Sequence, residues 1–136
     1  MVGRRPSVLV VDDDPAIREM LRHALQLDGH SVAEVNDGKA AWQVIKAHRP
    51  AVVVVDVMMP GMDGLELCRR VKAEIKEIKL IVYTAGMATE AEALAAGADA
   101  YVHKGRPVKA LRECVNRFTK GAGPSAGPLR ALPALF

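Results

Sequence analysis

The sequence predicts an α/β protein built on a doubly wound, parallel sheet of five strands with five helices. The first observation is that short apolar runs alternate with longer stretches of helical periodicity along most of the chain. The second is that residues 7–11 and 52–55 are β-branched runs without polar alternation, which is typical of parallel strands buried on both faces. The third is composition, because 50% of the residues are hydrophobic and only 4% are aromatic. Alternating strands and helices imply right-handed crossovers, with helices covering both faces of the sheet.

Capping and turn residues mark the ends of the expected elements. Asp14 and Pro15 start the first helix, since an aspartate N-cap followed by proline is a typical helix beginning. Asp37 and Asp63 are expected to cap the second and third helices, and Gly97 ends the fourth. The expected strands are 7–11, 30–35, 52–55, 78–84 and 99–103. The expected helices begin near residues 15, 38, 64, 88 and 108.

The helical faces follow from the apolar spacing. In the first helix, apolar residues recur at i, i+3, i+4, i+7 and i+8, which predicts one buried face. The third helix is expected to bury Leu65, Cys68, Val71 and Ile75. Trp42 is expected to pack on or near the surface of the second helix, beside a buried side formed by Ala41, Val44 and Ile45.

Composition also excludes several classes of protein. The net charge of +3 is carried by scattered basic residues, so direct nucleic-acid binding is not predicted. Cys68 and Cys114 have no metal-ligand spacing and are expected to be free thiols. No apolar run is long enough for a signal peptide core or a membrane span, so a cytoplasmic protein without membrane contact is expected. Residues 1–120 are predicted to form the domain, and the Gly/Pro-rich residues 121–136 a tail or linker.

Polar residues at the carboxyl ends of the strands predict the functional site. Asp12, Asp13, Asp56, Thr84 and Lys104 follow or end four of the five strands. Because the carboxyl ends of parallel strands share one edge of the sheet, these side chains are expected to meet there. Each pair of carboxylates at about 4 Å costs roughly 4 kcal/mol at an effective dielectric of 20, so a compensating cation is needed. A few carboxylates with room for water and phosphate suit Mg²⁺.

This set of groups favours phosphoryl transfer. A carboxylate such as Asp56 can act as a nucleophile toward phosphorus. Lys104 offers an ammonium and Thr84 a hydroxyl to the phosphoryl oxygens. A nucleotide-binding loop is not predicted, because aspartates rather than glycines follow the first strand.

The motifs VLVVDDDPAIREML, VVVVDVMMPGMDGLELC, VYTA and GADAYVHK, in this order over residues 7–119, resemble those of a bacterial two-component response-regulator receiver domain. The resemblance implies the flavodoxin-like strand order 2-1-3-4-5. It also implies that Asp56 accepts a phosphoryl group from a sensor histidine kinase or phosphotransfer protein, and that a downstream protein target reads the result. Such a switch is not expected to be an enzyme beyond its own phosphorylation and dephosphorylation.

The resemblance also assigns individual roles. Asp12 and Asp13 resemble the acidic pair that holds Mg²⁺ together with Asp56, and the Met58 carbonyl resembles a further ligand. Thr84 and Tyr101 resemble the switch pair, in which the hydroxyl moves toward the phosphoryl group and the ring turns inward. Lys104 resembles the lysine that binds the phosphoryl group.

Two departures from the family pattern carry expectations. Gly105 follows Lys104 where the family usually has proline, often in a cis peptide, so we expect a trans peptide or a rearranged loop here. The segment from Thr84 to Lys104 is about two residues shorter than the common pattern, so the fourth helix should be short or irregular.

Three alternative functions remain open. The chain could be a receiver fragment of a longer regulator, with the tail leading to an effector, or a protein-binding receiver that acts without phosphorylation. A Mg²⁺-dependent phosphohydrolase is disfavoured because Met58 stands where that class has a second aspartate.

Overall fold

The computed structural model describes residues 7–86 and 88–120. Its strands are β1 (Val8–Val11), β2 (Val32–Val35), β3 (Val52–Val55), β4 (Lys79–Thr84) and β5 (Ala100–His103). Its helices are α1 (Pro15–Leu27), α2 (Gly38–His48), α3 (Gly64–Glu74), α4 (Glu90–Ala95) and α5 (Val108–Lys120). The strands form one parallel sheet in the order β2-β1-β3-β4-β5. The predicted fold class and strand order are therefore confirmed.

Side chains of the central strands alternate between two cores, one on each face of the sheet. Leu9 and Val53 face the core covered by α2, α3 and α4, whereas Val8 and Val52 face the core covered by α1 and α5. All four residues of β1 and of β3 are buried. A strand that packs on both faces needs an apolar residue at every position, which explains the uninterrupted valine runs.

The register of the sheet aligns the strand ends that carry polar residues. Val11 of β1 pairs with Val55 of β3, and Val55 pairs with Val82 of β4. The residues that follow these strands, Asp12 and Asp56, therefore emerge side by side at one edge of the sheet. Thr84 and His103 pair at the corresponding ends of β4 and β5.

The three predicted N-caps are confirmed. The Asp14 carboxylate accepts a hydrogen bond from the Ala16 N–H at 2.9 Å, and the Asp63 carboxylate accepts one from the Glu66 N–H at 2.9 Å. Asp37 accepts from the Ala40 N–H at 2.7 Å. Each of these carboxylates thus satisfies an orphan donor of a first helical turn.

The structure differs from the sequence predictions at several positions, of which three bear on packing or on the start of a strand. Trp42 is buried, with 7% of its surface exposed, because α3 covers the side of α2 on which the ring lies. The expectation that it packs near the surface was wrong. Leu67 is fully buried on α3, whereas Leu65 is only partly buried. β2 begins at Val32, two residues later than predicted.

The segment between β4 and β5 is short, as predicted. α4 has only 6 residues and begins with a capping box between Thr89 and Glu92. The chain leaves it through Gly97 at a φ of 105°, a left-handed conformation that suits glycine. None of the helices in the described ranges has the length and apolar character that crossing a membrane requires. The predicted tail, 121–136, lies outside the described residues.

Candidate functional site

Three carboxylates meet at the carboxyl edge of the sheet. Asp12 and Asp13 follow β1, Asp56 follows β3, and each offers an oxygen that lies within 4.8 Å of the other two. Asp12 and Asp56 are almost completely buried, with 2% and 6% of their surfaces exposed, whereas Asp13 is exposed. The structure therefore brings together the three acidic residues that the sequence predicts. Their mutual repulsion is strong because two of them have little water to screen them.

Lys104 partly neutralises this cluster. Its Nζ lies 2.8 Å from the Asp12 carboxylate and 3.2 Å from the Asp56 carboxylate. Burial lowers the pKa of Lys104, but the hydrogen bond to Asp12 and the charges of both aspartates outweigh burial, so its pKa is raised. The lysine is therefore a fixed cation at the site.

One ammonium does not fully compensate the buried acid pair. Burial raises the pKa of Asp12, and the hydrogen bonds from Lys104 and from the Asp14 N–H only partly offset that effect. The charge of Asp56 raises it further. The raised pKa of Asp12 means that Lys104 offsets the burial of this carboxylate only in part.

The donor set fits a hard divalent cation. Three carboxylates offer oxygen ligands, and the exposed Asp13 leaves the cluster open to water on one side. Mg²⁺ is usually held by one or two protein carboxylates with waters and phosphate oxygens completing its shell. The cluster agrees with the predicted Mg²⁺ site.

The side-chain hydroxyl of Thr84 is the unexpected feature of the site. Thr84 is fully buried at the end of β4, and its Oγ1 has no hydrogen-bond partner among the described residues. Its carbonyl, by contrast, accepts from the Lys104 N–H at 2.8 Å, so the backbone is well fixed. Buried hydroxyls are almost always paired, and an unpaired one at a polar site indicates a ligand or a conformational role.

Tyr101 connects β5 to the loop after β4. Its ring packs against the core that contains α4, and its hydroxyl donates to the Ala88 carbonyl at 2.9 Å. Met58 lies on the other side of the site, where its N–H donates to the Asp56 carboxylate at 3.3 Å. The ligand role of the Met58 carbonyl and the switch role of Tyr101 stay predictions.

Three residues that support the site were not predicted from the sequence. The Arg18 guanidinium donates to the Asp12 carbonyl at 2.7 Å and pairs with Glu34 of β2 at 3.1 Å. Gly64 packs so closely that an added Cβ would collide with the Asp56 carbonyl oxygen. His103 accepts the Gly105 N–H at 2.8 Å. Of the three, only Gly64 could have been singled out from the sequence. It is a glycine at the first position of a helix, where Asp63 already provides the cap and glycine has no capping function.

The sheet topology and the acid cluster define a class of protein, the flavodoxin-like α/β domains with acidic residues at the carboxyl edge of the sheet. Within this class, the chain belongs to the response regulator receiver domain family, whose sequence profile matches residues 8–116. The resemblance seen in the motifs is confirmed. So is the predicted class of function, a phosphoacceptor signalling domain of two-component systems.

Several relatives and solved structures are similar over most of the chain. The response regulator MprA of Mycolicibacterium vanbaalenii is 42% identical over 127 residues, which cover 88% of this chain and 55% of that protein. The Francisella response regulator 1452 receiver domain has a TM-score of 0.80 and 30% identity, over 87% of this chain and 99% of that one. The Thermotoga maritima response regulator TrrA, solved in complex with Mg²⁺ and BeF, has a TM-score of 0.76 and 33% identity, over 82% of this chain and 96% of that one.

The chain spans about half the length of the curated relatives that it matches. The similarity thus concerns the receiver domain, and the activities of the longer relatives are not transferred to this chain.

Proposed function

We propose that Asp56 is the phosphoacceptor of a Mg²⁺-dependent signalling switch. The observation that carries the proposal is that the buried Asp56 carboxylate lies beside a second buried aspartate, Asp12, and a lysine that contacts both. A Mg²⁺ ion held by Asp12, Asp13 and Asp56, with the Met58 carbonyl as a further ligand, would neutralise the charge of the phosphoryl oxygens. The complex of TrrA with Mg²⁺ and BeF supports the presence of Mg²⁺ at this site, and the choice of ligands rests on the carboxylate cluster.

The chain's own residues then have distinct tasks in the transfer. An oxygen of Asp56 bonds to phosphorus, while the bond from phosphorus to the donor's histidine nitrogen breaks and the electron pair remains on that nitrogen. Lys104 is already 3.2 Å from the Asp56 carboxylate and can bind a phosphoryl oxygen without a large movement. Catalysis of this kind rests on positioning and charge neutralisation.

Thr84 and Tyr101 convert the covalent change into a conformational one. A phosphoryl group adds about −1.5 to −2 charges and new acceptor oxygens, which would give the unpaired Thr84 hydroxyl a partner. Thr84 ends β4, and the connection to α4 that follows it contains Ala88, whose carbonyl accepts the hydrogen bond of Tyr101. Movement of Thr84 therefore changes the hydrogen bond between the Tyr101 hydroxyl and the Ala88 carbonyl. The surface formed by α4 and β5 changes as a result.

A receiver domain of this family interacts with a histidine kinase or another phosphodonor and with a downstream effector. We infer that the donor here is a sensor histidine kinase or a phosphotransfer protein in the cytoplasm and that the target is a protein. The domain would catalyse its own phosphorylation and dephosphorylation without being a conventional enzyme. Because the chain spans only about half the length of these relatives, a receiver part of a longer regulator is the alternative proposal.

Intact-mass spectrometry after incubation with acetyl phosphate tests the proposal. We expect one added phosphoryl group on the wild type, dependent on Mg²⁺ and absent from Asp56→Asn. Asp63→Asn is the matched control, because it neutralises an exposed helix cap a few residues away and should be phosphorylated normally. Absence of an adduct on a folded, Mg²⁺-binding wild type would refute the proposal and favour a phosphorylation-independent binding domain.

A further inference from the structure

The His103 side chain lies between the two loops that flank the site at the end of β5. Its Nδ1 accepts a hydrogen bond from the Gly105 N–H at 2.8 Å, within the turn that follows the strand. Its Nε2 lies on the other side of the ring, against Gly86 in the β4–α4 connection. The residue is largely exposed, yet both ring nitrogens face backbone.

Two glycines make room for this ring. A Cβ added to Gly105 would lie 2.9 Å from His103 Nδ1 and 3.2 Å from Cε1. A Cβ added to Gly86 would lie 3.1 Å from Nε2. A side chain at Gly105 would therefore push the imidazole away, and one at Gly86 would require it to shift by a few tenths of an ångström. Gly105 also supplies the N–H, so its lack of a side chain and its backbone donor both serve the same contact.

The contact fixes the backbone immediately after Lys104. On the strand side, the Lys104 N–H donates to the Thr84 carbonyl at 2.8 Å. On the turn side, the Arg106 N–H donates to the His103 carbonyl at 3.0 Å and closes the turn. The Gly105 N–H between them has the His103 imidazole as its acceptor. All peptide bonds of the described residues, including that between Lys104 and Gly105, are trans, which agrees with the sequence-based expectation.

The hydrogen bond also defines the tautomer of the ring. An Nδ1 that accepts an N–H carries no proton, so the neutral imidazole has its proton on Nε2. A side-chain amide oxygen of asparagine branches from Cγ as Nδ1 does and can accept from the same donor. Asparagine therefore preserves the acceptor, whereas alanine removes it.

We propose that His103 is a positioning residue for Lys104, acting through the hydrogen bond that its imidazole accepts from the Gly105 N–H. The inference rests on the proposed function, since it concerns the lysine assigned to the phosphoryl group. Without this contact, the turn after β5 loses one of the hydrogen bonds that hold its backbone. The ammonium then spends less time at the 2.8 Å and 3.2 Å positions against Asp12 and Asp56.

Phosphorylation rates with acetyl phosphate and Mg²⁺ test this inference in a set of four variants. His103→Ala should slow phosphorylation about three- to tenfold, the factor expected for one lost hydrogen bond. His103→Asn should restore most of the rate. Gly105→Ala should be slowed because its methyl group displaces the ring. In the double variant His103→Ala/Gly105→Ala, the second change should have no further effect, because the ring is already gone.

Each result bears on the inference separately from the proposed function. A wild-type rate in His103→Ala, or a rate in His103→Asn as low as in His103→Ala, overturns the role of His103 and leaves the phosphoacceptor assignment intact. A general loss of stability would slow His103→Ala and His103→Asn alike and would lower the melting temperatures of both.

A second measurement applies even where the wild type forms no adduct, a result that would refute the proposed function alone. The NMR chemical shift of the Lys104 ε-methylene group, measured at one fixed pH without Mg²⁺, reports the ammonium's contact with the two aspartates. We expect this shift to move toward that of a free lysine in His103→Ala and to stay at the wild-type value in His103→Asn. Equal shifts in the three proteins overturn the inference.

Discussion

Replacing Thr84 with valine should make the domain more stable and less active at the same time. The hydroxyl is fully buried and has no partner within the described part of the chain. Leaving a buried hydroxyl unpaired costs about 1–3 kcal/mol, and valine has nearly the same shape without the polar atom. Taking the lower part of that range, we expect Thr84→Val to raise the free energy of unfolding by about 1 kcal/mol. For a domain of this size, that corresponds to a rise of about 4 °C in melting temperature.

The matched variant is Thr84→Ser, which keeps the hydroxyl and loses the methyl group. It should lower the free energy of unfolding by about 1 kcal/mol through the small cavity it leaves. Denaturant titrations without Mg²⁺ or phosphodonor give both values. Thr84→Val should also lose phosphorylation rate, while Thr84→Ser keeps it. A valine variant that is less stable than the wild type would show that the hydroxyl is paired in the resting domain, and the argument from its missing partner would fail.

Three further predictions concern charges. Mg²⁺ at about 100 times its dissociation constant should stabilise the wild type by about 2.7 kcal/mol in thermal denaturation. Asp13→Asn, which alters an exposed residue of the proposed Mg²⁺ site, should lose most of this gain. Lys104→Met should lower the stability of the metal-free domain by about 2 kcal/mol in denaturant titrations, and added Mg²⁺ should restore part of it; an unchanged stability would contradict the contacts of the ammonium. The Arg112 guanidinium hydrogen-bonds to the Asp28 carboxylate and lowers its pKa below the value near 3.8 of the unfolded chain. The contribution of this pair to stability is therefore present above pH 3.8 and is lost as the pH falls through the pKa of Asp28 in the folded protein. Asp28→Asn should therefore unfold with less pH dependence in that acidic range, and an acid profile identical to that of the wild type would count against the pair.

The fold was largely predictable because its signals are local. The valine runs at β1 and β3 reflect burial on both faces, and the caps at Asp14 and Asp63 are fixed by sequence neighbours. The burial of Trp42 was not predictable from its own helix. It depends on α3, which covers the side of α2 that the periodicity of α2 alone assigns to the surface.

The site was predictable only in part, because some of its contacts depend on segments that are distant in sequence or on the shape of a loop. The carboxylates and Lys104 follow apolar strands, so the topology alone brings them to one edge. The contacts of Arg18 with the Asp12 carbonyl and of His103 with the Gly105 N–H involve backbone atoms. Every residue except proline carries the same backbone donor and acceptor, so the residue types do not show which of these groups will make such contacts. The geometry of the loops had to be known first.

The central claim is that Asp56, and not another residue of the acid cluster, carries the phosphoryl group. Treatment of the phosphorylated domain with borohydride reduces an aspartyl phosphate to homoserine, and peptide mapping by mass spectrometry then locates the altered residue. We predict homoserine at position 56 alone, formed only after incubation with both Mg²⁺ and the phosphodonor. Homoserine at Asp12 or Asp13, or a phosphoryl group on a histidine with Asp56 unmodified, would contradict the account.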